Sequence, residues 1–369
     1  MKKQSGQPET ELRPSEKPSK TKKILLIVGI ILGALALLIA GLAILLHSYL
    51  GKINYDSFTV SPLPPQPIGD EVQTVLPPVE ASGEEDSSQE EIDAAQLLIE
   101  ENLKKEREAI RNTGNLANFL LVGSDTRNVG GSGRSDTMIL VSINHDEKRI
   151  SLISLMRDTY VYIPGYYNTR INAAYALGGS QLLIDTIETN FHVEIDNYAA
   201  IDFFAFEDAI DALGGVTIEV TWDDLYGMNK KLDYENQIHE AGELHLNGAQ
   251  ALMFARNRSY PQGDFVRTAN QRKLISAIFN EAKSAGLSKV DAILDAVLPG
   301  ITTDMSEMKL LSWVVLAPSM LNYELETYRV PIDGSYEDVT IGGAQMLSVD
   351  FDANIRELHR IIYGEDAVQ

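Results

Sequence analysis

The chain has 369 residues, 44% of them hydrophobic, and a formal net charge of −22, enough apolar material for one large core with appendages. Residues 1–23 hold seven Lys or Arg against three Glu, a net +4 that leaves −26 on the remainder, which argues against a nucleic-acid partner because that binding needs a basic face. With no cysteine, disulfides and thiolate metal sites are excluded, and any metal must sit on oxygen or imidazole.

Taken in chain order, residues 1–23 read as a cytoplasmic tail and 24–46 as a transmembrane anchor. Ile24 to Leu46 is an uncharged run behind Lys20, Lys22 and Lys23, and at about 1.5 Å per residue it crosses a hydrocarbon core of roughly 30 Å. It exceeds the roughly 7–15 apolar residues of a cleaved signal peptide. The positive flank keeps the N-terminus in the cytoplasm and sends residues 47–369 outside, which predicts a single-pass protein of the cell membrane. ATP is scarce there, so group transfer must draw on a substrate that arrives already activated.

Residues 47–115 read as an extracytoplasmic spacer, with Pro-rich and acidic Ser-rich stretches (SPLPPQP, SGEEDSSQEE) and an acidic helix over Ile92–Arg111. Residues 116–285 carry the catalytic domain. Asn118–Val122, Thr137–Ile143, Ile150–Leu155 and Val216–Val220 are rich in branched residues and read as strands. Gly179–Phe191, Phe203–Leu213, Asn247–Asn257 and Arg267–Ser284 read as helices. Strands alternating with helices predict an α/β layered domain over a largely buried sheet. Residues 286–369 read as a mainly helical part packed on or extending that domain, with helices near Ser288–Leu298, Ser306–Leu321 and Asp352–Tyr363 and a late strand at Tyr328–Ile332.

Three segments place charges directly beside an apolar strand: Gly123-Ser124-Asp125-Thr126-Arg127, Gly133-Arg134-Ser135-Asp136 and Met156-Arg157-Asp158. Asp125 and Asp136 flank a Gly-rich loop that can fold them together, and two acids beside arginines suit a hard divalent cation with a phosphate ligand. A second cluster holds Arg256, Arg258, Asp264, Arg267, Gln271 and Arg272, and local arginine enrichment in so acidic a chain points to an anionic ligand. Each motif also fits a plainer role: the strand-end Asp-x-Arg a turn or cap, Arg256 and Arg258 surface ion pairs, and Arg157 with Asp158 structural pairing. No Gly-x-Ser-x-Gly, His-Glu-x-x-His or Walker loop is present, and His145, His192, His239 and His245 lack ligand spacing.

Taken together, NFLLVGSDTR, GRSDTMILVSIN, ISLISLMRDTYVYIPG, RINAAYALGG, IDNYAAIDFFAF, IDALGGVTIEV, GELHLNGAQALMFARNR and GDFVRTANQRKLI, in that order over residues 118–275, resemble the LytR-CpsA-Psr family of cell-envelope proteins. The resemblance implies an α/β/α-like fold with a central mixed β-sheet flanked by helices, and a deep apolar pocket for a polyprenyl chain. It implies a magnesium-dependent phosphotransferase that moves teichoic acid, capsular polysaccharide or a similar glycopolymer from undecaprenyl pyrophosphate to peptidoglycan. Its partners would then be the lipid-linked glycan, peptidoglycan and membrane lipid. Carried over by position, the family's Mg2+ acids fall on Asp125 and Asp136, and its pyrophosphate arginines on Arg127, Arg134, Arg157, Arg256 and Arg258. Asp264, Arg267 and Gln271 join the substrate-binding set, and Asp125 is the candidate proton acceptor. Phe203, Phe204, Phe206 and Ile210 are candidates for the pocket, although their helical spacing equally suits core packing. Two rival readings are a non-catalytic envelope regulator that binds lipid-linked sugar, and a polyprenyl pyrophosphate hydrolase.

Overall fold

The branched runs of the sequence do form strands: the computed structural model sets Asn118–Val122, Thr137–Ile143 and Ile150–Leu155 side by side at the centre of one sheet, and Val216–Val220 in a separate two-stranded sheet. It describes residues 47–56, 85–105, 115–124, 135–260, 263–285 and 290–364. The anchor segment, most of the Pro-rich spacer, and Asp125, Arg127 and Arg134 lie outside those residues. Among the described residues, no helix is long and apolar enough to cross a membrane. The chain divides into Met1–Ser48 and Tyr49–Gln369, and every element below belongs to the second unit.

The N-terminal part comprises β1 (Asn54–Tyr55), α1 (Gln89–Lys104), β2 (Leu116–Ser124), β3 (Ser135–Asn144), β4 (Arg149–Leu155), β5 (Tyr160–Tyr162) and β6 (Asn168–Arg170). The middle holds α2 (Ala173–Phe191), β7 (Asn197–Asp202), α3 (Phe203–Leu213), β8 (Val216–Val220), α4 (Trp222–Asn229), β9 (Gly242–Leu246), α5 (Gly248–Ala255) and α6 (Gly263–Ala285). Then come α7 (Val290–Val297), β10 (Ile301–Thr303), α8 (Glu307–Met320), β11 (Glu324–Val330), β12 (Tyr336–Ile341), β13 (Ala344–Val349) and α9 (Phe351–Tyr363).

Seven strands make the central sheet in the order β1-β10-β7-β2-β3-β4-β11. It is mixed: β2 pairs antiparallel with β3 and parallel with β7, and β4 pairs antiparallel with β3 and parallel with β11. In register, Tyr198, Leu120, Leu140 and Ile153 form a row across four strands, all buried. Successive side chains point to opposite faces, so this row faces α1, α2 and α9 in one apolar cluster. The alternate residues Phe119, Leu121, Ile139 and Val141 face α6 and α8 in another. A third cluster joins α3, α4, α5 and part of α6 to the β8–β9 hairpin.

Local chemistry explains the helix limits. Ser88 with Glu91, Thr221 with Asp224 and Asn247 with Gln250 are capping boxes that start α1, α4 and α5. Gly214, at φ 94°, ends α3 at Leu213. The start expected at Gly179 marks a break inside α2, where Gly179 takes φ 70° within a segment that begins at Ala173.

Several expectations need correction. The acidic helix is part of the folded core, because Ala95 and Ile99 of α1 pack into the sheet's main cluster; β1, also assigned to the spacer, joins the sheet. A boundary at 285 with a mainly helical part beyond it does not describe the chain. Residues 286–369 supply β10 and β11 to the sheet and the β12–β13 hairpin, as well as three helices. Short strands such as β10, with three residues, give too little alternation to read. The late strand runs from Glu324 and stops at Val330, because Pro331 has no N–H for the ladder.

A chain ended at Ala285 loses β11 from beside β4 and β10 from between β1 and β7. It is expected to show no cooperative thermal transition by circular dichroism, whereas a sharp transition would mean that residues 286–369 are an appendage.

Candidate active site

The β3 edge, the turn after β4 and the start of α6 deliver charged side chains to one place. Arg157, directly after β4, is the centre. Its Nη1 donates to Asp136 Oδ1 at 2.8 Å, and its Nε lies 3.3 Å from Asp158 Oδ2 and donates to Asp264 Oδ2. Arg267, one turn along α6, donates Nη2 to the same Asp264 oxygen at 3.0 Å. Arg258 lies 3.4 Å from Asp136 and 3.6 Å from Asp264, and Arg170 lies 3.3 Å from Asp158.

Ionisation follows from this geometry. Burial works against the charge on Asp136, yet the hydrogen bond and charge of Arg157, with Arg267 and Arg258 behind it, hold that carboxyl below the usual range. Asp264 is likewise depressed against burial by Arg267 and Arg157. Asp158 goes the other way: burial, helped by the neighbouring Asp264 charge, lifts it above the usual value despite Arg157 and Arg170. Arg157 is held more firmly charged than a free guanidinium, because Asp158, Asp264 and Asp136 outweigh its burial.

Arg267 differs. It is 2% exposed, and its Nε and Nη1 are buried without a hydrogen-bond acceptor among the described residues. Burial, reinforced by Arg157 and Arg258, pushes it down to about 10 although Asp264 supports its charge. Buried donors without acceptors are costly, and these belong to a side chain lining a cavity of about 400 Å³.

The cavity lies where two apolar clusters meet. Leu121, Ile139 and Ile275 come from the sheet side, and Phe206, Leu252 and Leu274 from the α3–α5 side. Its polar lining is Asp136, Lys231, Arg256, Arg258, Arg267 and Gln271. Gln271 donates to Thr137 Oγ1 at 2.8 Å, which ties α6 to β3. Arg256 stacks its guanidinium 4.4 Å from the Phe203 ring centroid.

Arg256 and Arg258 are presented by the buried residue between them. Asn257 donates to the Asp224 backbone oxygen at 3.3 Å, Asn270 donates to the Asp224 carboxylate at 3.1 Å, and Asp224 also completes the capping box that Thr221 opens at the start of α4. A Cβ at residue 227 would overlap the Asn257 side-chain oxygen, so Gly227 is what allows the close approach.

Of the residues expected from sequence, Asp136, Arg157, Arg258, Asp264 and Arg267 meet in one ion-pair network, with Arg256 and Gln271 on the same cavity. Asp125, Arg127 and Arg134 lie outside the described residues. Arg157 is not on the cavity wall; it stands behind Asp136. Of the pocket candidates, Phe203 and Phe206 line the cavity, Phe204 is 53% exposed, and Ile210 is core. Sequence reading missed Lys231, whose ammonium is lowered by burial and by Arg256 and Arg258; only its place after α4 brings it here. It also left Asp158 and Arg170 out of the site.

The chain matches the model of the LytR_cpsA_psr family over residues 82–356. It is 38% identical over 191 residues to polyisoprenyl-teichoic acid–peptidoglycan teichoic acid transferase TagU of Halalkalibacterium halodurans, covering 51% of this chain and 60% of that protein. It thus spans less than two thirds of that relative's length. It is 33% identical over 236 residues to regulatory protein MsrR of Staphylococcus aureus, covering 62% of this chain and 68% of that one. Among solved structures, TagT bound to LI-WTA superposes with a TM-score of 0.58 at 25% identity, covering 70% of this chain and 94% of that one.

Asp264→Asn removes the negative charge shared by Arg157 and Arg267 and is expected to cost about 3–5 kcal/mol at neutral pH in urea unfolding, the usual range for breaking a buried ion pair. A depressed carboxyl contributes stability above its unfolded value, near 4, and loses it as pH falls through the lower folded value, so the gap between wild type and variant should close below about pH 4. Inorganic pyrophosphate is expected to raise the melting temperature of the wild type, and Arg267→Met to abolish that shift.

Proposed function

The chain belongs to the LytR_cpsA_psr family, and we propose that it is a phosphotransferase that moves a phosphate-linked glycopolymer, teichoic acid or capsular polysaccharide, from undecaprenyl pyrophosphate to peptidoglycan. One observation carries the reading: a cavity with apolar walls is also lined by Arg256, Arg258, Lys231 and an Arg267 whose Nε and Nη1 are buried without an acceptor among the described residues. An isoprenoid diphosphate has the matching halves, a hydrocarbon chain that gains by leaving water and two phosphates that take up guanidinium donors. The names of TagU, a polyisoprenyl-teichoic acid transferase, and of TagT bound to LI-WTA support the same chemistry.

In the proposed step the acceptor hydroxyl attacks the phosphorus that carries the glycan. The bond from that phosphorus to the polyprenyl phosphate oxygen breaks, and polyprenyl phosphate leaves. Such transfers depend chiefly on positioning and charge stabilisation. Arg256, Arg258 and Arg267 meet the charge gathering on the leaving phosphate, and Asp125 takes the hydroxyl proton. Arg157 acts as a positioning residue, since three carboxylates engage its Nε and Nη1.

Magnesium fits this donor set. Among the described residues no group of three or more acids or histidines could cage a metal alone, but Mg2+ ordinarily uses one or two carboxylates plus substrate phosphates. Asp136 faces the cavity with an ionised carboxylate, and Asp125 would be the second. Bound there, the ion would draw off charge from the diphosphate oxygens. The segment Ile24–Leu46 would hold the domain at the outer face of the cell membrane, beside its lipid-borne substrate.

Transfer from a lipid-linked glycan to peptidoglycan by the purified full chain tests the reading. Asp136→Ala and Arg258→Ala are each expected to lower turnover by about 10²–10³-fold, typical for removing one preorganised charge. Undiminished turnover would remove those roles. Binding of the donor without consumption would favour a regulator, and phosphate release that is indifferent to acceptor would favour a hydrolase.

A further inference from the structure

Helix α8 does not behave as a surface helix of an acidic protein should. Residues 308–323 contain no Asp or Glu in a chain with 53 of them, and Lys309 is their one charge. On its inner side Leu310 and Trp313 pack against the sheet, Trp313 edge-on to Phe119 at 4.7 Å. On its outer side Met308, Val314, Val315 and Leu316 are 75%, 43%, 72% and 41% exposed, and no residue of the helix is fully buried. Apolar residues on both the inner and the outer side of a helix call for cover on both, and exposed apolar surface of this kind marks an interaction site.

The path of the chain indicates what covers it. Tyr49, Leu50 and Ile53 pack with Leu294, Leu298, Ile301 and Leu310, the last of these in the first turn of α8. Tyr49 follows Leu46, the end of the apolar run, by three residues, a span of at most about 11 Å even when fully extended. A domain tethered so closely cannot hold α8 far from the membrane surface. With 14 residues, about 21 Å long, the helix is too short to cross a bilayer but long enough to lie along one. Past Glu307 at its start the helix carries no acid, which limits repulsion from anionic lipid.

We propose that the outer face of α8, centred on Val315, seats in the hydrocarbon border of the outer leaflet and fixes how the domain stands on the membrane. The proposal rests on the reading of Ile24–Leu46 as an anchor. The consequence for the site is direct: the inner face of the same helix shares its apolar cluster with Leu121, Ile139 and Ile275 of the cavity wall, so bilayer hydrocarbon is brought next to the apolar side of the cavity.

Because the chain has no cysteine, Val315→Cys in the full-length protein takes a single environment-sensitive fluorophore. Asp333→Cys, an exposed position beyond the far end of β11, is the control. In vesicles containing nitroxide-labelled lipid, the label at 315 is expected to shift to the blue and be quenched several-fold more than the label at 333. If the protein floats with vesicles while the label at 315 stays unquenched and wet, the docking face is refuted and the anchor stands. Failure to float with vesicles would refute both. Quenching between labelled chains that is indifferent to the nitroxide would show that a second copy covers the face, which also overturns the proposal.

Discussion

The site depends on one arrangement: a half-buried guanidinium, Arg157, held by three carboxylates from separate parts of the chain. Asp136 comes from β3, Asp158 from the turn after β4 and Asp264 from the first turn of α6. Their convergence fixes α6 against the sheet edge, and α6 in turn carries Arg267 and Gln271. Around the network stand Arg157, Arg170, Arg258 and Arg267 with Arg256 and Lys231 on the cavity, six cations against three acids among the described residues, a local +3. In a chain of net −22, such a local reversal of charge makes a focused attraction for anions.

The acids do not neutralise this surplus; they organise it. Asp264 is shared between Arg157 and Arg267, so Arg267 keeps Nη2 engaged, while its Nε and Nη1 have no acceptor among the described residues. Asp158, lifted by burial, and Asp264, depressed by arginines, are pushed apart in opposite directions, the expected outcome when two carboxyls crowd one buried place. Burial taxes every ion here, and the network persists because each charge is met from more than one side. The strain left over is concentrated on Arg267, where an incoming phosphate would relieve it.

Legibility from sequence follows the range of the interactions. α3 was readable to the residue because Asp202 and Gly214 cap it locally, and β2, β3 and β4 because branched residues alternate over several positions. β7 was not, since NYAAID has little apolar contrast and owes its state to β2 and β10 on either side. The charged motifs pointed to the site because acids and arginines stand out in such a chain. Lys231 and Arg170 did not, as each reaches the site only through tertiary packing. The Asn257–Asp224–Asn270 network was hidden for the same reason, although it is what aims Arg256 and Arg258.

A packed core closes on itself, so a cavity of about 400 Å³ between two apolar clusters requires something that keeps them apart. The polar linkage at its end does this. Gln271 joined to Thr137, Arg256 laid on Phe203, and Asp264 joined to Arg157 and Arg258 set α6, α5 and α3 at fixed distances from the sheet. Apolar side chains alone would slide together to fill the gap, since voids forfeit dispersion contacts. The ion pairs oppose that collapse, so under the proposed function the groups that would grip a diphosphate are also the groups that hold open the space for its hydrocarbon.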